Sequence, residues 1–62
     1  MPVKRFDITM TNGKVQSVEA DYYSYESAQY IFYKHDKNWE VQEVYRTPMI
    51  DVKSIASNMV QT

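Results

Sequence analysis

Phe6-Asp7-Ile8-Thr9-Met10-Thr11-Asn12-Gly13-Lys14-Val15-Gln16-Ser17-Val18-Glu19-Ala20 reads as two extended segments hinged at Asn12-Gly13. Asn-Gly tolerates positive φ at both central positions of a type I′ turn, whose twist matches that of the strands it joins. Before the turn Phe6, Ile8 and Met10 alternate with Arg5, Asp7, Thr9 and Thr11, the period of a strand with one face in water. A strict two-residue turn pairs Met10 with Val15 but sets Ile8 against Ser17 and Phe6 against Glu19. One extra residue at Gln16 and Ser17 restores the match, Ile8 to Val18 and Phe6 to Ala20, so the pattern predicts a bulged, bent second strand.

A second hairpin is predicted over residues 29–45. Gln29-Tyr30-Ile31-Phe32-Tyr33-Lys34 and Trp39-Glu40-Val41-Gln42-Glu43-Val44-Tyr45 are dense in aromatic and β-branched residues, joined by His35-Asp36-Lys37-Asn38. Two registers fit. A two-residue loop at Asp36-Lys37 sets Phe32 opposite Val41, whereas a three-residue loop with Asn38 in the left-handed region sets Tyr33 there; Trp39 and Val41 share a face in both. A competing α+β reading makes residues 24–35 a helix, with Ser24 as N-cap and Ala28, Ile31 and Phe32 at helical spacing. Thr47-Pro48 ends the fourth strand, since proline has no amide donor for the ladder. Beyond it Asp51 can cap a short C-terminal helical segment whose Val52, Ile55, Ala56 and Met59 form one stripe; its first residues are alternatively a fifth short strand.

These elements predict one all-β domain from about Val3 to about Val60, a small barrel of four to five antiparallel strands in meander order. Phe6 to Lys14, Val18-Glu19-Ala20-Asp21-Tyr22, Ile31-Phe32-Tyr33-Lys34 and Val52-Lys53-Ser54-Ile55 together resemble the pattern of short SH3-like barrel proteins common in phages and other mobile elements. The resemblance implies an SH3-like barrel fold, and such barrels host many unrelated functions.

Composition narrows the chemistry. With 62 residues and 7.4 kDa the chain fits one small domain and excludes folds of several βαβ repeats. It has no cysteine, hence no disulfide, thiolate zinc site or thiol nucleophile. Net charge −1 and a pI near 5.6 remove the general attraction to nucleic acid. Met1-Pro2-Val3-Lys4-Arg5 leads into alternating residues instead of an apolar run, and no stretch approaches a membrane span, which predicts a cytosolic protein without membrane contact. His35 is the single histidine and falls in a turn, where it reads as a solvated polar residue and not a catalytic base. Asp21, Glu26, Asp36, Glu40, Glu43 and Asp51 lack calcium-loop spacing, and Gly13 alone makes no phosphate loop, so neither metal, cofactor nor enzymatic activity is expected.

Six of the nine aromatics are tyrosines. Alternation forbids turning Tyr22, Tyr23, Tyr25, Tyr30, Tyr33, Trp39 and Tyr45 all inward. In one reading Tyr22, Trp39 and either Phe32 or Tyr33 fill the barrel while the rest cover its rim. In the other, Asp21, Tyr23, Tyr25, Glu26, Tyr30 and Tyr33 form a recognition patch, with the segment from Asp21 to Glu26 as a connection between strands. A protein partner suits the near-neutral charge and the mixture of tyrosine with Asp and Glu, and a second copy pairing open edge strands is one form such a partner can take. Single-stranded nucleic acid stacking on Tyr30, Tyr33 or Trp39 near Lys34, Lys37 and Arg46 is the alternative, opposed by the balance of acids. A proline-rich peptide groove is a third, without a residue-by-residue match. The expected function is a non-enzymatic protein-binding module, a phage or mobile-element regulator or inhibitor that occupies a site on a larger protein. A nucleic-acid-binding barrel and a self-associating structural protein are the alternatives.

Overall fold

The computed structural model describes residues 3–60. Along them run β1 Val3–Met10, β2 Val15–Glu19, β3 Tyr22–Glu26, β4 Gln29–His35, β5 Val41–Pro48 and β6 Val52–Val60. They form two three-stranded antiparallel sheets, ordered β2-β1-β6 and β3-β4-β5. The all-β expectation holds for these residues. The chain changes sheets at one peptide: the Ala20 N–H donates to the Lys4 carbonyl (3.2 Å), the Asp21 N–H to that of Tyr33 (2.8 Å). β2 and β3 are thus two halves of one bent strand.

The bend expected in the second strand lies at Ala20-Asp21, and no bulge interrupts the β1–β2 ladder at Gln16 and Ser17. The first hairpin closes instead with three loop residues. The Met10 N–H donates to the Lys14 carbonyl (2.8 Å) and the Gly13 N–H to that of Met10 (2.9 Å), with Gly13 at φ +89°. Asn12 keeps negative φ, and its side-chain oxygen accepts from the Lys14 N–H at 2.9 Å. One loop residue more than the type I′ turn shifts the register so that Phe6 faces Val18 directly, which removes the need for a bulge.

The second hairpin repeats that design and follows neither expected register. The Asp36 N–H donates to the Glu40 carbonyl (2.9 Å) and the Trp39 N–H to that of Asp36 (3.0 Å), so Trp39, placed in a strand by sequence, sits in the turn at φ +64°. His35 pairs with Val41 and Tyr33 with Glu43; Val44 is then the extra residue of a bulge, after which Phe32 pairs with Tyr45. Residues 24–35 are not helical: β3 and β4 cross them, joined by Ser27 and Ala28 at φ +52° and +61°.

The C-terminal helical segment is also overturned. Only Met49–Asp51 form a 3-10 turn, and the nine residues of β6 follow. β6 pairs with β1, Ile8 to Ile55 and Phe6 to Ser57, with Lys53 bulged out between Ser54 and Val52. The bulge brings Val52 and Ile55 onto one face, reproducing in a strand the three-residue spacing that suggested a helix. The unpaired edge of β1, which carries core residues, is what β6 satisfies.

Phe6, Ile8, Val18 and Ala20 pack with Phe32 from the other sheet, flanked by Met10, Tyr30, Tyr45, Val52 and Ile55. Ile31 is fully buried on the opposite face of β4, between Ser24 and Arg46 in the ladder. β4 is therefore buried on both faces, whereas β1 sends Arg5 and Asp7 outward into an Asp7 network with Ser17 and Asn58.

Candidate functional site

Directly paired residues of an antiparallel ladder share a face. The register Tyr23–Phe32 and Tyr25–Tyr30 therefore puts three tyrosines on the core side of the second sheet. They form a series. Tyr25 meets Tyr30 edge-on at 6.3 Å between ring centroids, Tyr30 meets Tyr23 at 5.9 Å, and Tyr23 contacts Phe6 and Phe32 at 5.3 Å each. Tyr25 is 68% exposed and Tyr23 40% exposed, so the series runs from open solvent to the core. Glu26 closes the strand opposite Gln29, exposed.

Tyr45 pairs with Phe32 on the core side, whereas Tyr22 and Tyr33 lie on the other face. Tyr22 stacks on Tyr33 at 5.1 Å and approaches His35 at 6.1 Å, while His35 lies 5.8 Å from the indole of Trp39. Asp21 anchors this cluster, its Oδ2 accepting the His35 N–H at 2.6 Å and lying 2.9 Å from Nδ1 of the ring. Beside it opens a depression of about 240 Å³ lined by Lys34, His35, Asp36, Gln42 and Val44. That is below the roughly 300–1,000 Å³ of sites that enclose a small molecule.

The six residues singled out by sequence are thus divided. Tyr23, Tyr25 and Tyr30 come together, Tyr33 stacks behind the sheet, Asp21 is bound to His35, and Glu26 stands alone. The stretch from Tyr22 to Glu26, expected as a connection, is the edge strand β3. Tyr22 is 40% exposed, so it does not fill a barrel interior. Trp39, read from sequence either as barrel filling or as a stacking surface, is 78% exposed at the hairpin tip and so does not fill an interior. The signal was there, because Asp36-Lys37-Asn38-Trp39 aligned on Met10-Thr11-Asn12-Gly13 puts Trp39 at the glycine position.

Among the described residues, every carboxylate with a displaced pKa is displaced downward. The Ser17 hydroxyl, then Arg5, holds Asp7 below its ordinary value, and the His35 main-chain N–H, then its ring, does so for Asp21. The N–H groups of Glu40 and Asn38 act on Asp36, and the Arg46 side chain on Glu43. A general acid working near neutral pH needs the opposite shift. Among the described residues no three His, Asp or Glu side chains converge to hold a metal, and no helix is long and apolar enough to cross a membrane. Compared with protein-family models, curated proteins and solved structures, the chain matches none.

Proposed function

We propose that the chain is a non-enzymatic protein-binding module of the SH3-like barrel kind, which occupies a site on a larger protein through the tyrosines of β3 and β4. The observation that carries this reading is β3 itself: an edge strand with all five residues exposed, three of them tyrosines. Tyrosine gives large contact area at low entropic cost. Tyr30 of β4 supports Tyr25 and Tyr23 in an edge-on series, which presents both already ordered. Because Asp21 is engaged by His35, Glu26 is the charge left to select a basic surface.

A strand shared by two sheets, and a last strand that returns to pair with the first, are how a short meander starts to close on itself, which supports the barrel reading. With it stands the sequence resemblance to small phage and mobile-element barrel proteins, where a regulator or inhibitor acting by occupancy fits. A chain without cysteine suits a reducing, cytosolic setting.

Tyr25 separates binding from folding. Tyr25→Ala costs about 2 kcal/mol or more of partner binding and under about 0.5 kcal/mol of fold stability, as befits an exposed position. Affinity capture from source cells with the wild-type chain, Tyr25→Ala and a Val15→Ala control tests it. Proteins held by the wild type and the control but lost by Tyr25→Ala support the reading; identical retention by all three, or none by the wild type, overturns it. Exposed Trp39, with Lys37 in the same turn, favours a second reading as a single-strand nucleic-acid binder, against which stand Asp36 and Glu40 in that turn. Titration of a labelled single strand at two salt concentrations decides it, since saturable binding that weakens with salt is required.

A further inference from the structure

We propose that the free edge of β3 pairs with the β3 edge of a second copy, antiparallel about a two-fold axis through Ser24. The pairing uses the edge strand and tyrosines of the protein-binding reading above and goes beyond it, taking a second copy instead of a larger protein as the occupant.

β3 hydrogen-bonds only to β4, in a ladder that is regular from Tyr22–Tyr33 to Glu26–Gln29. Sheet edges are ordinarily blunted by bulges, lysine or proline. Here β5 carries the Val44 bulge and Pro48, and β6 carries the Lys53 bulge. β3 has none of these devices. A two-fold interface needs a surface complementary to itself. Rotation about Ser24 sets Tyr23 of each copy opposite Tyr25 of the other, on the face that holds Tyr30, and sets Tyr22 opposite Glu26. Glu26, the strand's one acid, then opposes no acid. The same operation on β2, the other regular edge, opposes Val15 to Glu19 and Gln16 to Val18.

The shape of the molecule favours such an addition. Its extents are 34 × 26 × 11 Å and its radius of gyration is 11.9 Å. A 62-residue globule is expected near about 10.5 Å. This flat chain presents Tyr25 and Tyr23 at a sheet margin instead of enclosing them. Pairing would join two three-stranded sheets into six strands. The exposed parts of three tyrosines per copy and the strand backbone amount to on the order of 900 Å² in all, by the 150–250 Å² each aromatic carries. Stable complexes begin at about 1,200 Å². The dimer is therefore weak, formed at high micromolar concentration and dispersed by dilution.

The chain's lack of cysteine makes the test direct. Across a central antiparallel pair Cα atoms lie about 4.5–5.5 Å apart, inside the roughly 4.4–6.8 Å that a disulfide spans. Under mild oxidation the Ser24→Cys variant cross-links to a dimer many-fold faster than Gln16→Cys on β2 or Gln42→Cys on β5. Sedimentation of the wild type shows the mass doubling from 7.4 kDa as concentration rises. Tyr25→Lys, folded by circular dichroism, stays at the monomer mass. A wild type that remains monomeric, Ser24→Cys cross-linking no faster than the controls, or a Tyr25→Lys dimer overturns the pairing. Cellular partners that still depend on Tyr25 would in that case leave the protein-binding reading standing, and their loss with cross-linking intact would sink that reading alone.

Discussion

In the first sheet the β1–β2 hairpin closes with Gly13 at φ +89°, whereas in the second the β4–β5 hairpin closes with Trp39 at φ +64° in the same place of the same three-residue turn. The second sheet's other hairpin turns on Ser27 and Ala28, also at positive φ. A left-handed conformation costs a non-glycine residue about 1–2 kcal/mol. The first sheet carries no such residue among those described, and the second carries three. Their compensations are visible: Asp36 Oδ1 accepts from Asn38 and Glu40, and the Met49 N–H donates to the Ala28 carbonyl. Pairing of the aromatic strands β3 and β4 thus dictates the turns, and the strain sits in the sheet that exposes its tyrosines. Strain of this kind gathers at functional surfaces.

The contrast extends to the core, where β1 buries residues on one face only and β4 buries Phe32 on one face and Ile31 on the other. Phe32→Ala gives the largest loss, about 3–5 kcal/mol, against a total of about 3–9 kcal/mol for a chain this size. Ile31→Ala, although outside the shared cluster, costs about as much as Ile8→Ala, about 2–4 kcal/mol, because both are fully buried. Urea denaturation compares the three. A cost for Ile31→Ala under about 1 kcal/mol would mean that the rear face of β4 is not closed.

Swapping turn residues reverses the sign between sheets. Gly13→Ala loses about 1 kcal/mol by backbone strain alone, since its added carbon meets nothing within 4 Å. Trp39→Gly gains about 1 kcal/mol, little being lost with an indole already in water, and Ala28→Gly gains about half as much. Destabilisation by Trp39→Gly would show that the indole holds the hairpin, through His35, instead of being held by it.

What the sequence disclosed follows from which contacts are local. The alternation of Phe6, Ile8 and Met10 identified β1 and its buried face, and Pro48 marked the end of β5. Registers stayed hidden because loop length answers to pairing: Asn12-Gly13 favours a type I′ turn, yet Phe6 finds Val18 through a longer loop. The most compact turn formed at Ser27-Ala28, where no residue announces it. Val52 and Ile55 imitated a helix because a bulge at Lys53 cannot be seen without β1 beside it. The tyrosine set suffered likewise. Alternation separates Tyr22 from Tyr23, but placing Tyr33 with the former and Tyr30 with the latter requires the β3–β4 register.

Acid weakens both sheets, through different carboxylates and to a smaller extent than the changes above. Asp7 joins three strands, accepting from Ser17 on β2 (2.8 Å), Arg5 on β1 (3.1 Å) and Asn58 on β6 (2.9 Å). Asp21 ties the bend between the sheets to the end of β4. Both have native pKa values below the ordinary 3.8, so the unfolded chain takes up protons first on acidification. Their contribution is complete above about pH 4 and declines as pH falls through the native values. Asp7→Asn and Asp21→Asn therefore each narrow the gap between urea midpoints measured at about pH 7 and about pH 3. Asp21→Asn narrows it more, because its leading donor is a fixed main-chain N–H, while the Ser17 hydroxyl can rotate to water. High salt trims the ion-pair share of each but leaves that main-chain bond intact. An equal narrowing in the two variants would mean that the bend at Ala20-Asp21 is held by its backbone ladder alone and not by the carboxylate beside it.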